Sequence, residues 1–99
     1  MSDQHQYAID LFRARVKKER ARQLAKWGPQ THTPLEWLAI LGEEYGEACQ
    51  GVVNTWTQRG DISKALEELV EVAAVCEAAF ADIAGAMMPP DAALAEEKK

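Results

Sequence analysis

From Ala65 to Ala84 the chain is apolar on nearly every side of a helical spiral, through Leu66, Leu69, Val70, Val72, Ala73, Val75, Phe80 and Ile83. A helix of that kind has to be surrounded by other helices. A chain of 99 residues has room for about two more long ones, too few to enclose it. The pattern therefore predicts a helical bundle whose core is completed by homo-oligomerisation. Yet the same stretch holds Glu67, Glu68, Glu71, Glu77 and Asp82, with no Lys or Arg among them. An unpaired carboxylate in a low dielectric is expensive, so something positive must come from elsewhere.

The rest of the chain also reads as helix. Hydrophobic content is 47%, rich in Ala and Leu and sparse in β-branched residues, with six Gly and four Pro. The first segment runs from about Asp3 to Lys26, capped by Ser2 or Asp3. Tyr7, Leu11, Ala14 and Val16 give it a partial apolar stripe, and Gly28-Pro29 ends it. The second opens on Thr33-Pro34-Leu35-Glu36, an N-cap, a proline at the first helical position and a glutamate three after the cap. Leu38, Leu41, Tyr45, Ala48 and Val52 then repeat at threes and fours, predicting a packing seam to about Thr57, before Gly60. Asp61 or Ser63 caps the third segment, which extends to about Ala84. Met87-Met88-Pro89-Pro90 then breaks the chain. The expected class is all-α: three long helices over residues 1–86, then a Pro-interrupted tail or short helix over 87–99.

Several function classes drop out. The formal net charge is −5, a poor basis for binding a nucleic-acid polymer. Cys49 and Cys76 lack metal-ligand spacing and sit in helical patterns, which fits a reducing cytosol. MSDQHQYAID lacks a signal-peptide layout, and the longest apolar run, Val72 to Cys76, is far too short for a membrane span. A soluble cytoplasmic protein is the expectation. Charge is divided along the chain: residues 13–26 carry seven bases and one acid, residues 36–91 eleven acids and two bases. The ordinary meaning of such a division is two solvated or mutually pairing faces.

Spacing singles out four acids. Glu44 and Glu47 are three apart and share a helical face, as do Glu68 and Glu71. The stripe Trp37, Ile40, Glu44, Glu47 begins apolar and turns acidic. In an antiparallel hairpin about residues 59–60 the two pairs lie roughly 6 Å from level, at 1.5 Å rise per residue. Such a cluster raises its own pKa values unless a cation holds it together. Oxygen donors without imidazole suit Mg²⁺ or Mn²⁺. Neither His5 nor His32 stands three after a Glu, as a di-iron bundle would want, and zinc would want Cys or His. Mg²⁺ keeps waters and pairs with phosphates, so the implied ligand is a phosphorylated small molecule. The competing reading, solvent-exposed Glu on an amphipathic helix, suits Glu67 and Glu77 best.

GEEYGEA (Gly42 to Ala48) and LEELVEVAAV (Leu66 to Val75) resemble the all-α nucleoside triphosphate pyrophosphohydrolases of the MazG-like family, with EExxE on one helix and ExxD on the next. KWGPQTHTPLEWLAILGEE looks like the short, single-domain branch, and the resemblance covers about Arg20 to Phe80. It implies cleavage of an NTP or dNTP between the α and β phosphates, in a house-cleaning role against noncanonical or surplus nucleotides. It also implies Mg²⁺ held by Glu44, Glu47, Glu68 and Glu71, with Glu43 reaching a second metal or orienting the attacking water. Glu71 stands where the family usually has Asp, displacing the carboxylate by over ~1 Å.

The weaker candidates are a phosphate-binding cation from Lys17, Lys18, Arg20, Arg22 or Lys26, and a base-stacking ring from Trp27, Trp37 or Trp56. Lys26 and Trp27 are the substrate-binding pair singled out. Tyr45 is expected in the core, His32 in a loop, and Asp82 in at most an outer-shell role. The assembly is expected to be a homodimer or homotetramer. The rival reading, kept open by Glu71, is a noncatalytic helical oligomer that serves as a binding or interaction module.

Overall fold

The computed structural model describes residues 3–58 and 61–87. It comprises α1 (Asp3–Trp27), α2 (Pro34–Gln58) and α3 (Ile62–Met87), with no strand among the described residues. The tail beyond residue 87, the turn at 59–60 and the Ser2 cap lie outside them.

Local chemistry sets the helix ends. At the close of α1, Gly28 takes φ +72°, and its N–H donates to the Leu24 carbonyl at 2.8 Å before Pro29 turns the chain. Thr33 opens α2 with a reciprocal capping box. Its hydroxyl accepts from the Glu36 N–H at 3.2 Å, while the Glu36 carboxylate accepts from the Thr33 N–H at 2.8 Å. Asp61, rather than Ser63, caps α3, its carboxylate accepting from the Ser63 N–H at 2.9 Å. The third helix also passes its expected stop at Ala84 and runs through Gly85 to Met87. One interior glycine costs only about 1 kcal/mol relative to Ala, less than is needed to end a helix.

Both other helices pack on α3. Gly51 faces Ala65 while Trp37 reaches Asp82, so α2 and α3 are antiparallel. Val16 meets Val70 and Ala74 while Arg20 reaches Glu77, so α1 and α3 run the same way. Among the described residues, buried apolar ones are few: Val16, Trp37, Ala48, Ala65, Val70, Ala74 and Val75. Ala65, Ala74 and Gly51 let backbones approach closely; a Cβ placed on Gly51 would stand 3.6 Å from the Ala65 Cα.

This arrangement corrects the expected seam on α2. Ala48 is buried, but Leu38, Tyr45 and Val52 are exposed on the single chain. Tyr45, at 62% exposure, is not core. The side of α2 turned to α3 is the mixed stripe through Trp37, Glu44, Ala48 and Gly51. The more continuous apolar stripe is left over. Together with Cys49, Val53, Leu69 and Val72, Tyr45 and Val52 line an outward apolar trough of about 430 Å³. The radius of gyration is 16.0 Å, against about 13 Å for a compact domain of this length, and the extents are 49 × 35 × 22 Å. One chain makes a thin layer rather than an enclosed core.

Candidate metal centre and its cleft

The antiparallel pairing brings the two acidic steps level. Glu44 and Glu47 on α2 meet Glu68 and Glu71 on α3, and one carboxylate oxygen from each lies within 4.8 Å of all the others. Glu44, Glu68 and Glu71 are half-buried, and Glu47 is exposed. One oxygen of Glu44 and one of Glu68 are buried without a hydrogen-bond partner among the described residues. Among the described residues none of the four has an ion-pair partner. Exposed acidic groups commonly cluster without an ion. Buried, unsatisfied carboxylate oxygens are different, because each leaves a desolvation cost uncompensated.

Electrostatics registers that cost. Burial, followed by repulsion from Glu47, Glu68 and Glu43, raises the Glu44 carboxyl above its ordinary value; hydrogen bonding with Glu71 offsets part of this. Glu71 is pushed up to about 7, first by burial, then by the charge of Glu68 and a hydrogen bond to it, then by the charges of Glu44 and Glu19. A carboxyl displaced this far is protonated in about half of the molecules at neutrality. Four converging carboxylates with two orphaned oxygens fit a hard divalent cation, and a donor set without imidazole or thiolate disfavours zinc or iron.

A cleft of about 440 Å³ adjoins the cluster. Its floor is Glu71, Val75 and Ala78 of α3, and one wall is Trp37, Ile40 and Glu44 of α2. The other wall is Glu19, Arg22, Gln23 and Trp27 of α1, and Gln30 and His32 close the far end. The cavity thus runs from carboxylates to aromatic rings. On the cluster's other side, Glu47 and Glu68 border a second hollow of about 340 Å³ that also includes Asn54 and Lys64.

The remaining sequence candidates divide. Trp27 lines the cleft at 52% exposure. Lys26 is not part of the lining; it rests on the Trp27 ring, with Nζ 4.7 Å from the centroid. Glu43 is exposed and outside the group of four, though its charge is felt by Glu44. Trp56 is 88% exposed. Asp82, a candidate for an outer shell, instead ties the α1–α2 connection to α3. Its carboxylate accepts from the Trp37 indole at 2.7 Å and from the His32 backbone N–H at 2.9 Å. Glu77 pairs with Arg20 at 3.5 Å, and Glu67 is exposed.

Two cleft residues stand out less in the sequence than in the structure. In the sequence Glu19 is the lone acid of a basic run, and Arg22 is one of several cations. Their three-residue spacing is the available signal. Arg22 donates to Glu19 from Nε at 2.8 Å and from Nη2 at 2.7 Å, a bidentate pair on the cleft wall.

No family model, curated protein or solved structure matches the chain. The likeness to a hydrolase family rests on the two acidic motifs and the stretch that precedes them.

Proposed function

We propose that this chain is a Mg²⁺-dependent nucleoside triphosphate pyrophosphohydrolase, converting an NTP or dNTP and water to the monophosphate and pyrophosphate. The observation that carries the reading is the convergence of Glu44, Glu47, Glu68 and Glu71, with buried oxygens on Glu44 and Glu68 lacking partners among the described residues. These four would hold the divalent ion, Mn²⁺ substituting for Mg²⁺. When bound, the ion supplies neutralisation of phosphate charge and acidification of water. Attack by the water oxygen on a phosphorus flanking the α–β bridge forms one P–O bond and breaks that phosphorus's bond to the bridging oxygen, which leaves with the other phosphoryl group, while the water's proton passes to solvent.

The protein's own share is placement. Glu44 and Glu71 border both the cluster and the cleft, so phosphates would be drawn to that end and the nucleoside toward Trp27, Trp37 and His32. Glu43, adjacent to Glu44, remains the candidate for orienting water or reaching a second ion. The exposed trough about Tyr45, Val52 and Leu69 supports assembly as a homodimer or homotetramer. House-cleaning of noncanonical or surplus nucleotides in the cytoplasm is the role that goes with this reading.

Glu71 favours a second reading, because Asp is usual at that position in the resembled family: an oligomeric binding module that retains the carboxylates without turnover. Pyrophosphate release from a nucleotide panel with Mg²⁺ or Mn²⁺ separates the two. Turnover that Glu47→Gln abolishes supports the hydrolase. No turnover of any nucleotide, with Glu47→Gln indistinguishable from the parent, supports the module.

A further inference from the structure

Among the described residues, Arg22 is the only Lys or Arg lining the cleft, although α1 carries most of the chain's bases. Its guanidinium is constrained on two sides. Glu19, itself only 15% exposed at the side chain, accepts from Nε and Nη2 and is further fixed by Gln23 Nε2 at 2.9 Å. The Trp27 ring lies beside it, 5.8 Å from Cζ to the ring centroid. Arg22 itself stays 53% exposed at the side chain, so these contacts orient its guanidinium while leaving it open to solvent.

Donor arithmetic shows what remains. A guanidinium carries five N–H groups, and the Glu19 pair uses two of them on one edge. Three are left, and one on Nη1 with the outer one on Nη2 forms the edge that matches two oxygens of a phosphate. Glu19 therefore orients Arg22 without consuming its recognition edge. The positive charge stands in the same cleft as Glu44 and Glu71, whose own charge opposes the anionic end of a ligand unless a cation is held there.

We propose that Arg22 binds a phosphate of the ligand directly from α1, and that Glu19 is the positioning residue that fixes its guanidinium. This rests on the phosphorylated-ligand reading above and assigns a role within it. A cation held by the cluster cannot alone balance a triphosphate, and Arg22 supplies further positive charge from the opposite wall. Glu19 is thus an acid in an anion-binding cleft because its charge serves orientation.

The experiment is calorimetric titration of the full chain with a non-hydrolysable nucleoside triphosphate in the presence of Mg²⁺, alongside titration with Mg²⁺ alone. Arg22→Gln should weaken nucleotide binding by about 10- to 100-fold, the range for a lost charge-assisted bidentate contact, while leaving Mg²⁺ binding as tight or tighter. Arg22→Lys, which keeps the charge and loses the fork, should recover only part of the loss. Glu19→Gln should weaken the nucleotide less than Arg22→Gln does, and in the double variant should add nothing further. Equal nucleotide affinity in parent and Arg22→Gln would overturn the assignment while leaving the hydrolase reading intact. Tighter binding in Glu19→Gln would overturn the positioning role. A parent that binds Mg²⁺ but no nucleotide would remove the hydrolase reading and this one with it.

Discussion

Trp37 donates its indole N–H to Asp82 at 2.7 Å across 45 positions of sequence, and the His32 backbone N–H reaches the same oxygen at 2.9 Å. One carboxylate thus anchors both the connection after α1 and the first turn of α2 to the far end of α3. These hydrogen bonds, His32 first and Trp37 second, hold the Asp82 carboxyl below its ordinary value. A lowered carboxyl stabilises the fold above its unfolded pKa, and that contribution disappears as pH falls through the folded value. Trp37→Phe keeps the ring and loses the donor, so its melting temperature should fall at neutral pH and converge toward the parent in acid. Trp37→Ala also empties buried volume and should cost about 3–5 kcal/mol. Equal melting of parent and Trp37→Phe at neutral pH would count against the anchor.

The cation-free protein should lose stability as pH rises. Glu71 titrates at about 7 when folded, against 4.5 as its ordinary value. Between those values the folded state binds more protons than the unfolded one, so raising pH favours unfolding. Glu44, shifted in the same direction, adds to the slope. Thermal melts with chelator should show a declining midpoint across this window, and Mg²⁺ should remove the decline because binding displaces the proton. A midpoint independent of pH in chelator would contradict a self-repelling cluster.

Gly51 reports how closely α2 and α3 approach. A Cβ there would meet the Ala65 Cα at 3.6 Å and the Glu68 Cγ at 3.8 Å, ordinary van der Waals contact. Gly51→Ala should therefore fold and gain up to about 1 kcal/mol of helix propensity. Gly51→Leu has no such room. It should lower stability by about 1–3 kcal/mol and weaken Mg²⁺ binding, because separating the helices separates Glu47 from Glu68. Chemical denaturation with Mg²⁺ titration of both variants checks the pair of outcomes.

Assembly is tested at the trough. Val52 and Leu69 are about half exposed on a single chain, so Val52→Asp and Leu69→Asp remove few contacts within it. If a second copy covers the trough, either change should reduce the mass measured by sedimentation equilibrium toward the 11.0 kDa of one chain. An unaltered oligomer would place the interface elsewhere.

Much of this fold is legible before any coordinates. Gly28-Pro29, the Thr33–Glu36 box and Asp61 are local signals, and each acts through backbone groups within four residues of itself. The four-glutamate group is also readable, because three-residue spacing on two antiparallel helices only three residues apart in sequence leaves little freedom in where the carboxylates meet. The face assignment of α2 is not. Leu38, Tyr45 and Val52 belong to its most apolar stripe, and periodicity cannot tell an inward stripe from one left facing outward. The Glu19–Arg22 pair is obscured for a different reason: a run of seven bases gives no sign of which one faces a cleft that only tertiary packing creates.

If Glu44, Glu47, Glu68 and Glu71 bind a divalent cation together, neutralising any one of them should weaken its binding. Titration of the chelated protein with Mn²⁺, followed by electron paramagnetic resonance of the free ion, measures this without requiring turnover. Saturable binding in the parent and in Glu67→Gln, lost in Glu44→Gln and in Glu68→Gln with helicity retained, is the predicted result. No saturable binding in the parent, or undiminished binding in Glu68→Gln, would contradict it.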